Sequence, residues 1–308
     1  MSSVTVIIAT YNGEKYIKEQ LDSIICQSFQ DFTILICDDC SDDNTMSILL
    51  EYEKEYPQKI KILSNNENVG FLKNFEKLIK YSEGDYIAFS DQDDIWTENH
   101  LELLLSYIGT NDAICANSDL VDENGNSMLV TMKDVLKIQD NISGEYRILT
   151  RLMHENFSQG STMLVRSSFV KDLIPFPNGI KYHDYWIAIQ AAIRNGICYN
   201  PTSILHYRQH GGNITRNFKS SIIRGVYNAK KGFIRKHSAY QYDLISLIDK
   251  KLLSEEENKI VNDALMFHKS IKDRKIDSKT KEYFKSNYEF IFLTKKGYWL
   301  RYFEYFWL

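Results

Sequence analysis

The first half of the chain alternates short apolar runs with stretches whose apolar residues recur every three or four positions. Residues 4–9 are β-branched and almost wholly apolar, the pattern of a strand buried on both faces. In residues 16–28, Ile17, Leu21, Ile24 and Ile25 fall on one helical face. The cycle repeats with a strand at 33–37, a helix carrying Met46, Leu49, Leu50 and Tyr52, and a strand at 59–63. A helix marked by Phe71, Phe75, Leu78 and Ile79 follows, and then a strand at 86–89. A helix at 101–108 and a strand at 113–116 complete the alternation. Repeated β–α units with short connections predict an α/β fold with a mostly parallel sheet and helices on both faces.

The middle is less regular. Asn124-Gly125 signals a hairpin turn, and 162–165 reads as a short strand leading into a helix that Pro175 and Pro177 break. A helix over 184–194 ends at Gly196, and a last short strand covers 204–208. Beyond about Asn213 the character changes. Arg216, Lys219, Arg224, Lys230, Lys231, Arg235 and Lys236 occur with no acid between them, interleaved with Ile222, Ile223, Val226, Tyr227, Phe233 and Ile234. Such a segment fits either a helix on an anionic membrane surface or a solvated face packed on a core. Seven of the eleven residues in 298–308 are aromatic, which suits a membrane interface or a docked helix equally. The expected organisation is a catalytic domain over 1–213 and a helical, basic and aromatic extension over 214–308.

Composition changes this picture little. The chain has 308 residues, 44% hydrophobic and 25% charged, with a net charge of −4, so no whole-chain attraction to nucleic acid is expected. Residues 4–9 are too short and lack the basic flank of a signal peptide, and no apolar run reaches membrane-spanning length. The five cysteines follow no disulfide framework, so a reducing cytoplasm is the expected setting. Cys37-Asp38-Asp39-Cys40 has no second ligand pair for zinc.

The chemistry concentrates after the apolar strand at 86–89. Asp91, Asp93 and Asp94 place three carboxylates within four positions, where ligands bind in open α/β sheets. Hard cations such as Mg²⁺ or Mn²⁺ bind through one or two carboxylates plus substrate phosphates. Thr10-Tyr11-Asn12-Gly13, at the end of the first strand, suits base stacking and hydrogen bonding, or is simply a good turn. Asp38-Asp39 ends the second strand and can accept from a base or ribose, or decorate a helix start. Asn68, Gly70, Lys73 and Asn74 open a helix whose amides can face a diphosphate. Asp184, beside His183, is either a general base or a helix cap. In His206-Tyr207-Arg208-Gln209-His210, a histidine can complete a metal shell and Arg208 can neutralise a leaving diphosphate.

The order and spacing of these motifs resemble the family 2 inverting glycosyltransferases of the GT-A (Rossmann-like) fold. The matching pieces are Ile7-Ile8-Ala9-Thr10-Tyr11-Asn12, the run from Cys37 to Thr45, Asn68-Val69-Gly70, Ser90-Asp91-Gln92-Asp93-Asp94-Ile95-Trp96 and His183-Asp184. Within that family, Asp-Gln-Asp-Asp-Ile-Trp, His-Asp-Tyr-Trp, Tyr-Arg-Gln-His and Gly160-Ser161-Thr162-Met163 are similar to a bacterial rhamnosyltransferase subgroup that builds cell-wall and capsular polysaccharides. The resemblance implies that Thr10, Tyr11 and Asp39 contact the nucleotide, with Asp39 on the pyrimidine. It implies that Asp91 and Asp93 form an Asp-x-Asp pair, with Asp93 the more direct ligand of Mg²⁺ or Mn²⁺, and that Asp184 is the catalytic base. The remaining assignments are Asn12, Asn68, Gly70, Asn74 and Arg208 around the donor and His206 as a third metal ligand.

The expected donor is dTDP-L-rhamnose, with a UDP-hexose as the alternative. The expected acceptor is a lipid-diphosphate-linked saccharide at the inner face of the plasma membrane, reached by a cytoplasmic, peripheral enzyme. The Gln-x-x-Arg-Trp signature of processive synthases is missing. A nucleotidyltransferase would open with a glycine-rich loop, also missing here. A non-catalytic sugar-binding protein on a transferase scaffold would not need the complete acidic run.

Overall fold

Three β–α units build one half of the sheet. β1 (Val4–Thr10), β2 (Phe32–Asp38), β3 (Ile60–Ser64) and β4 (Tyr86–Ser90) are separated by α1 (Ile17–Ile25), α2 (Thr45–Glu55) and α3 (Phe71–Tyr81). β1 pairs in parallel with β2 and β4, and β2 with β3, so their carboxyl ends share one edge. Val6, Ile7 and Ile8 have no exposed surface, as a run flanked on both sides by parallel neighbours requires. α3 turns Asn74, Phe75, Leu78 and Ile79 inward at helical spacing.

The other half is mixed. β5 (Ile95–Trp96) and α4 (His100–Ile108) precede the long β6 (Ala113–Val121), which returns through β7 (Ser127–Thr131) as a hairpin turning at Gly125, φ +81°. Then come α5 (Met132–Leu136), α6 (Arg147–Leu152), β8 (Met163–Arg166), α7 (Ser167–Lys171), α8 (His183–Ala192) and β9 (Ile197–Arg208). The strand order is β3-β2-β1-β4-β8-β6-β9-β5, with β7 beside β6. The late, short β8 therefore lies antiparallel between β4 and β6. Its Met163, Leu164 and Val165 are fully buried, each contributing about 1.5–3 kcal/mol through apolar burial, which favours a central position. α8 is buried nearly all round and so lacks a clean amphipathic stripe. β9 begins well before the expected 204–208 strand and pairs in parallel with β6, bringing Arg208 opposite Val121 and His206 opposite Ile95 of β5.

The computed structural model describes residues 3–139, 141–144, 146–211, 233–287 and 290. Most of the basic stretch after Asn213 and the aromatic stretch at 298–308 lie outside these residues. The chain divides into two compact units, one formed by 1–140 and 158–209, the other by 141–157 and 210–308. Within the second unit, α9 (Phe233–Ile245), α10 (Glu255–Asp273) and α11 (Ser278–Ser286) surround Val261, Phe267, Ile271 and Phe284. α10 opens with a capping box in which the Ser254 and Glu257 side chains each accept the other's backbone N–H. His154, from 141–157, lies within this helical core, its ring nitrogens 3.2 Å from His268 and 3.0 Å from the Tyr283 hydroxyl. Among the described residues, no helix is long and apolar enough to cross a membrane.

Candidate active site

The carboxyl ends of β1, β2 and β4 converge because Thr10 is in register with Asp38 and Ile8 with Ser90. The loops leaving them are knitted by side chains. Buried Asp38 accepts from the Thr10 hydroxyl at 2.9 Å, the Ser41 hydroxyl at 2.6 Å and the Ser41 amide at 2.9 Å. Asn12, at φ +50°, donates its amide N–H to the Ser41 hydroxyl and accepts from the Asp42 amide through Oδ1. The Gly13 amide donates to Thr45 Oγ1 at 2.8 Å. Thr10 and Asn12, expected beside a nucleotide, thus first shape the loops. Tyr11 is 48% exposed, and its side chain takes no part in these loop-shaping bonds.

Gln92, between the aspartates of the acidic run, ties that run to the first loop. Its Oε1 accepts the Tyr11 N–H and its Nε2 donates to the Tyr11 carbonyl, both at 3.0 Å. A Cβ at Gly13 would stand 2.4 Å from Gln92 Oε1, so only glycine admits this approach.

Asp184, in the first turn of α8, lies near enough to the acidic run for its charge to act on Asp91. Burial, and then the charges of Asp93 and Asp184, push the Asp91 carboxyl up to about 7. Asp94 is fully buried, and burial, Asp93 and Asp91 push its pKa well above the usual carboxylate range, against the Arg208 amide that donates to it at 3.0 Å. Every charge acting on Asp91 is another carboxylate, the condition a divalent cation relieves. Among the described residues, no three histidine, cysteine or acidic side chains form a ready metal cage. A pair of carboxylates completed by substrate phosphates still fits Mg²⁺ or Mn²⁺.

His183 anchors the start of α8. Its ring packs 4.1 Å from Phe75 and 5.1 Å from Phe89, centroid to centroid, and burial lowers its pKa to about 3. Beneath it, a Cβ at Gly160 would lie 3.3 Å from His183 Nε2 and 3.7 Å from Asp184 Cβ.

Four of the expected residues have partners within the protein. Asp39 is buried and both its oxygens are engaged: Oδ1 accepts from Asn65 Nδ2 at 2.7 Å and the Val69 amide at 2.9 Å, Oδ2 from the Gly70 amide at 2.8 Å. It fixes the loop that opens α3. Asn74 is buried, donates to the Cys37 carbonyl at 2.8 Å and accepts from Asn65, so it ties α3 to β2. Arg208 is only 2% exposed and its guanidinium is held within the protein, by the Asp93 and Glu123 carbonyls and the Glu19 carboxylate. His206 stands 3.9 Å from Asp119, its cross-strand neighbour, and forms no metal group with Asp91 and Asp93 among the described residues. Asn68 is exposed, while Gly70 precedes α3 at φ +82° and donates to Asp39.

Sequence reasoning missed Gln92, and Glu19, whose carboxylate accepts from Arg208 Nη2, as builders of the site; it gave Gly13 only as a turn residue and Ser41 only as a helix cap. Only the Asn12-Gly13 pair carried a signal, since a glycine there also permits close approach. The Cys37 thiol is pushed up to about 11 by burial, which keeps it protonated and inert.

A parallel half-sheet ending in carboxylates, joined to a mixed half that delivers another, defines a glycosyltransferase of the GT-A class. The family model for glycosyl transferase family 2 matches residues 5–174, more than half of the chain, and the chain belongs to that family. It is 36% identical over 222 residues to a dTDP-rhamnosyl transferase, RfbG, of Shigella flexneri, covering 67% of this chain and 72% of that protein. It is 33% identical over 123 residues to the Escherichia coli UDP-Glc:alpha-D-GlcNAc-diphosphoundecaprenol beta-1,3-glucosyltransferase WfgD, covering 39% and 47%. The fold matches the mannosyltransferase PcManGT of Pyrobaculum calidifontis, solved with GDP-Man and Mn²⁺, at a TM-score of 0.59 and 14% identity, over 99% of this chain and 84% of that one.

Proposed function

We propose that the enzyme transfers L-rhamnose from dTDP-L-rhamnose, with inversion, onto a lipid-diphosphate-linked saccharide in cell-surface polysaccharide synthesis. The observation that carries the catalytic reading is that Asp184, from the first turn of α8, lies near enough to Asp91 for its charge, like that of Asp93, to act on the Asp91 carboxyl. The rhamnosyl donor is supported by the similarity to RfbG, and the lipid-diphosphate acceptor by the similarity to WfgD. The latter also favours a second donor reading, a UDP-hexose.

In this reading the Tyr11 ring stacks on the base and the exposed Asn68 lies at the donor's edge. Asp91 and Asp93 would hold Mg²⁺ or Mn²⁺, which when bound neutralises the diphosphate leaving group. Asp184 takes the proton from the acceptor hydroxyl as that oxygen attacks the anomeric carbon from the face opposite the leaving group. A single displacement inverts configuration and needs no covalent nucleophile. Asp184 is suited to this because it begins a helix and is backed by buried His183.

The test is calorimetric titration of dTDP-L-rhamnose and a panel of UDP- and GDP-sugars, with and without Mn²⁺, on wild type and Asp184→Asn. The expected result is Mn²⁺-dependent binding of dTDP-L-rhamnose in both proteins, with transfer in the variant reduced by roughly 10²–10⁴-fold. Preference for a UDP-sugar replaces the donor. Wild-type turnover by Asp184→Asn removes Asp184 from the base role, and binding of no nucleotide sugar overturns the reading.

A further inference from the structure

We propose that Arg208 is a positioning residue that holds the carboxylate run in its metal-binding shape, and that Glu19 holds Arg208 in place. The inference rests on the donor-site reading above and assigns Arg208 a role other than contact with the diphosphate.

The geometry joins four chain segments. Arg208 Nε donates to the Asp93 carbonyl at 2.9 Å, and the Arg208 backbone N–H donates to the Asp94 carboxylate at 3.0 Å. One residue at the end of β9 thereby grips two consecutive residues of the acidic run, one by its main chain and the other by its side chain. Nη1 donates to the Glu123 carbonyl at 3.1 Å, in the turn between β6 and β7. Nη2 donates to the Glu19 carboxylate on α1, and the guanidinium lies 4.7 Å from the centre of the Tyr16 ring. A Cβ at Gly125 would sit 3.7 Å from Nη1, so the turn packs closely over the fork.

The peptide geometry explains why this matters. Fixing the Asp93 carbonyl and the Asp94 side chain restricts rotation of the backbone that aims the Asp93 carboxylate. Hydrogen-bonded partners behind a metal ligand set its orientation, and losing them weakens metal affinity without touching the metal. Arg suits the task because its planar fork serves several acceptors in fixed directions, which a lysine ammonium does not. Burial at 2% exposure leaves the side chain no route to solvent or substrate in this arrangement. Glu19 is 54% exposed at its side chain, so it can be altered with little effect on packing.

The experiment compares Arg208→Lys and Glu19→Gln with the wild-type full chain. Mn²⁺ is titrated calorimetrically in the presence of dTDP (or UDP, should the wild type prefer it), and dTDP is titrated at saturating Mn²⁺. Thermal unfolding establishes that each variant is folded, and Glu19→Gln carries the test should Arg208→Lys not fold. The expected result is Mn²⁺ affinity lowered roughly tenfold in Arg208→Lys, and by less in Glu19→Gln. Nucleotide affinity at saturating Mn²⁺ stays within about twofold of wild type, the split that separates metal positioning from diphosphate contact. Unchanged Mn²⁺ affinity in the folded variants, beside a normal wild-type response, overturns this inference alone. Nucleotide affinity lost at saturating Mn²⁺ also overturns it and restores direct diphosphate contact. A wild type without any Mn²⁺-dependent nucleotide binding overturns the donor-site reading, and this inference with it.

Discussion

Gln92 pairs with Tyr11 as a neighbouring strand would, its side-chain amide accepting the Tyr11 N–H and donating to the Tyr11 carbonyl, each at 3.0 Å. One amide thus links the loop that presents an exposed aromatic ring to the run that presents Asp91 and Asp93. The bridge exists because Gly13 leaves room for the Gln92 amide, 2.4 Å from where a Cβ would stand.

Gly13→Ala should therefore break the same bridge as Gln92→Leu. Each is expected to weaken nucleotide-sugar binding roughly tenfold, the scale of two modest hydrogen bonds. The double variant should be little worse than either single one, since both remove one interaction. Binding titrations across the four proteins check this, and effects that simply add would separate the two residues.

Asp39 is expected to matter first for stability. Asp39→Asn keeps one acceptor but turns an amide N–H₂ toward donors among Asn65, Val69 and Gly70. The expected cost is about 2–3 kcal/mol, as for hydrogen bonds to a charged group left mismatched. Urea unfolding measures it, and an unchanged midpoint would mean that the loop does not depend on the clamp.

Gly160→Ala tests the seating of the base. The added methyl meets His183 Nε2 at 3.3 Å, and His183 is wedged against Phe75 and Phe89 with little room to retreat. The strain should pass to Asp184, lowering kcat by roughly tenfold with the donor KM unchanged, as small displacements of a reacting group do. A raised donor KM at constant kcat would place the effect on the donor side instead.

The helical unit should be acid-sensitive. Burial lowers the pKa of His268 to about 3 and drives that of His154 well below its ordinary value, with His268 and Arg151 adding to the second shift. A folded pKa below the unfolded value means that unfolding takes up protons. The stabilisation is complete above the unfolded pKa of about 6.5 and is lost as pH falls toward about 3, at roughly 1.4 kcal/mol per pH unit for each histidine. Hydrogen exchange in α10, corrected for intrinsic rates, should report a loss of about 2–3 kcal/mol near pH 5.5. His268→Gln, which takes up no proton, should flatten the slope by about half.

Much of the fold was legible because strands and helices announce their burial locally. The runs at 4–9, 33–37 and 86–89 are buried on both faces apart from exposed Thr33 and half-buried Ala9 and Tyr86, and a continuous apolar stretch says so without reference to any partner. The acidic run and Asp184 stood out through residue type and spacing, and family resemblance joined them into one site. β8 was legible as a strand but not as the central strand between β4 and β6, because hydropathy does not record which neighbour a strand takes.

The sequence by itself determined the β–α order, the acidic run at a strand's end and membership of the family, since each depends on residues near one another in the chain. Tertiary structure decided what the polar side chains do. Arg208, Asn74 and Asp39 have the chemistry to meet a nucleotide, yet each is buried and held by groups elsewhere in the fold. A hydrogen-bonding group goes to whichever partner the fold brings within about 3 Å, and desolvation makes that choice binding. Such partners lie up to 189 positions away, as from Glu19 to Arg208, a separation at which no local pattern specifies a contact.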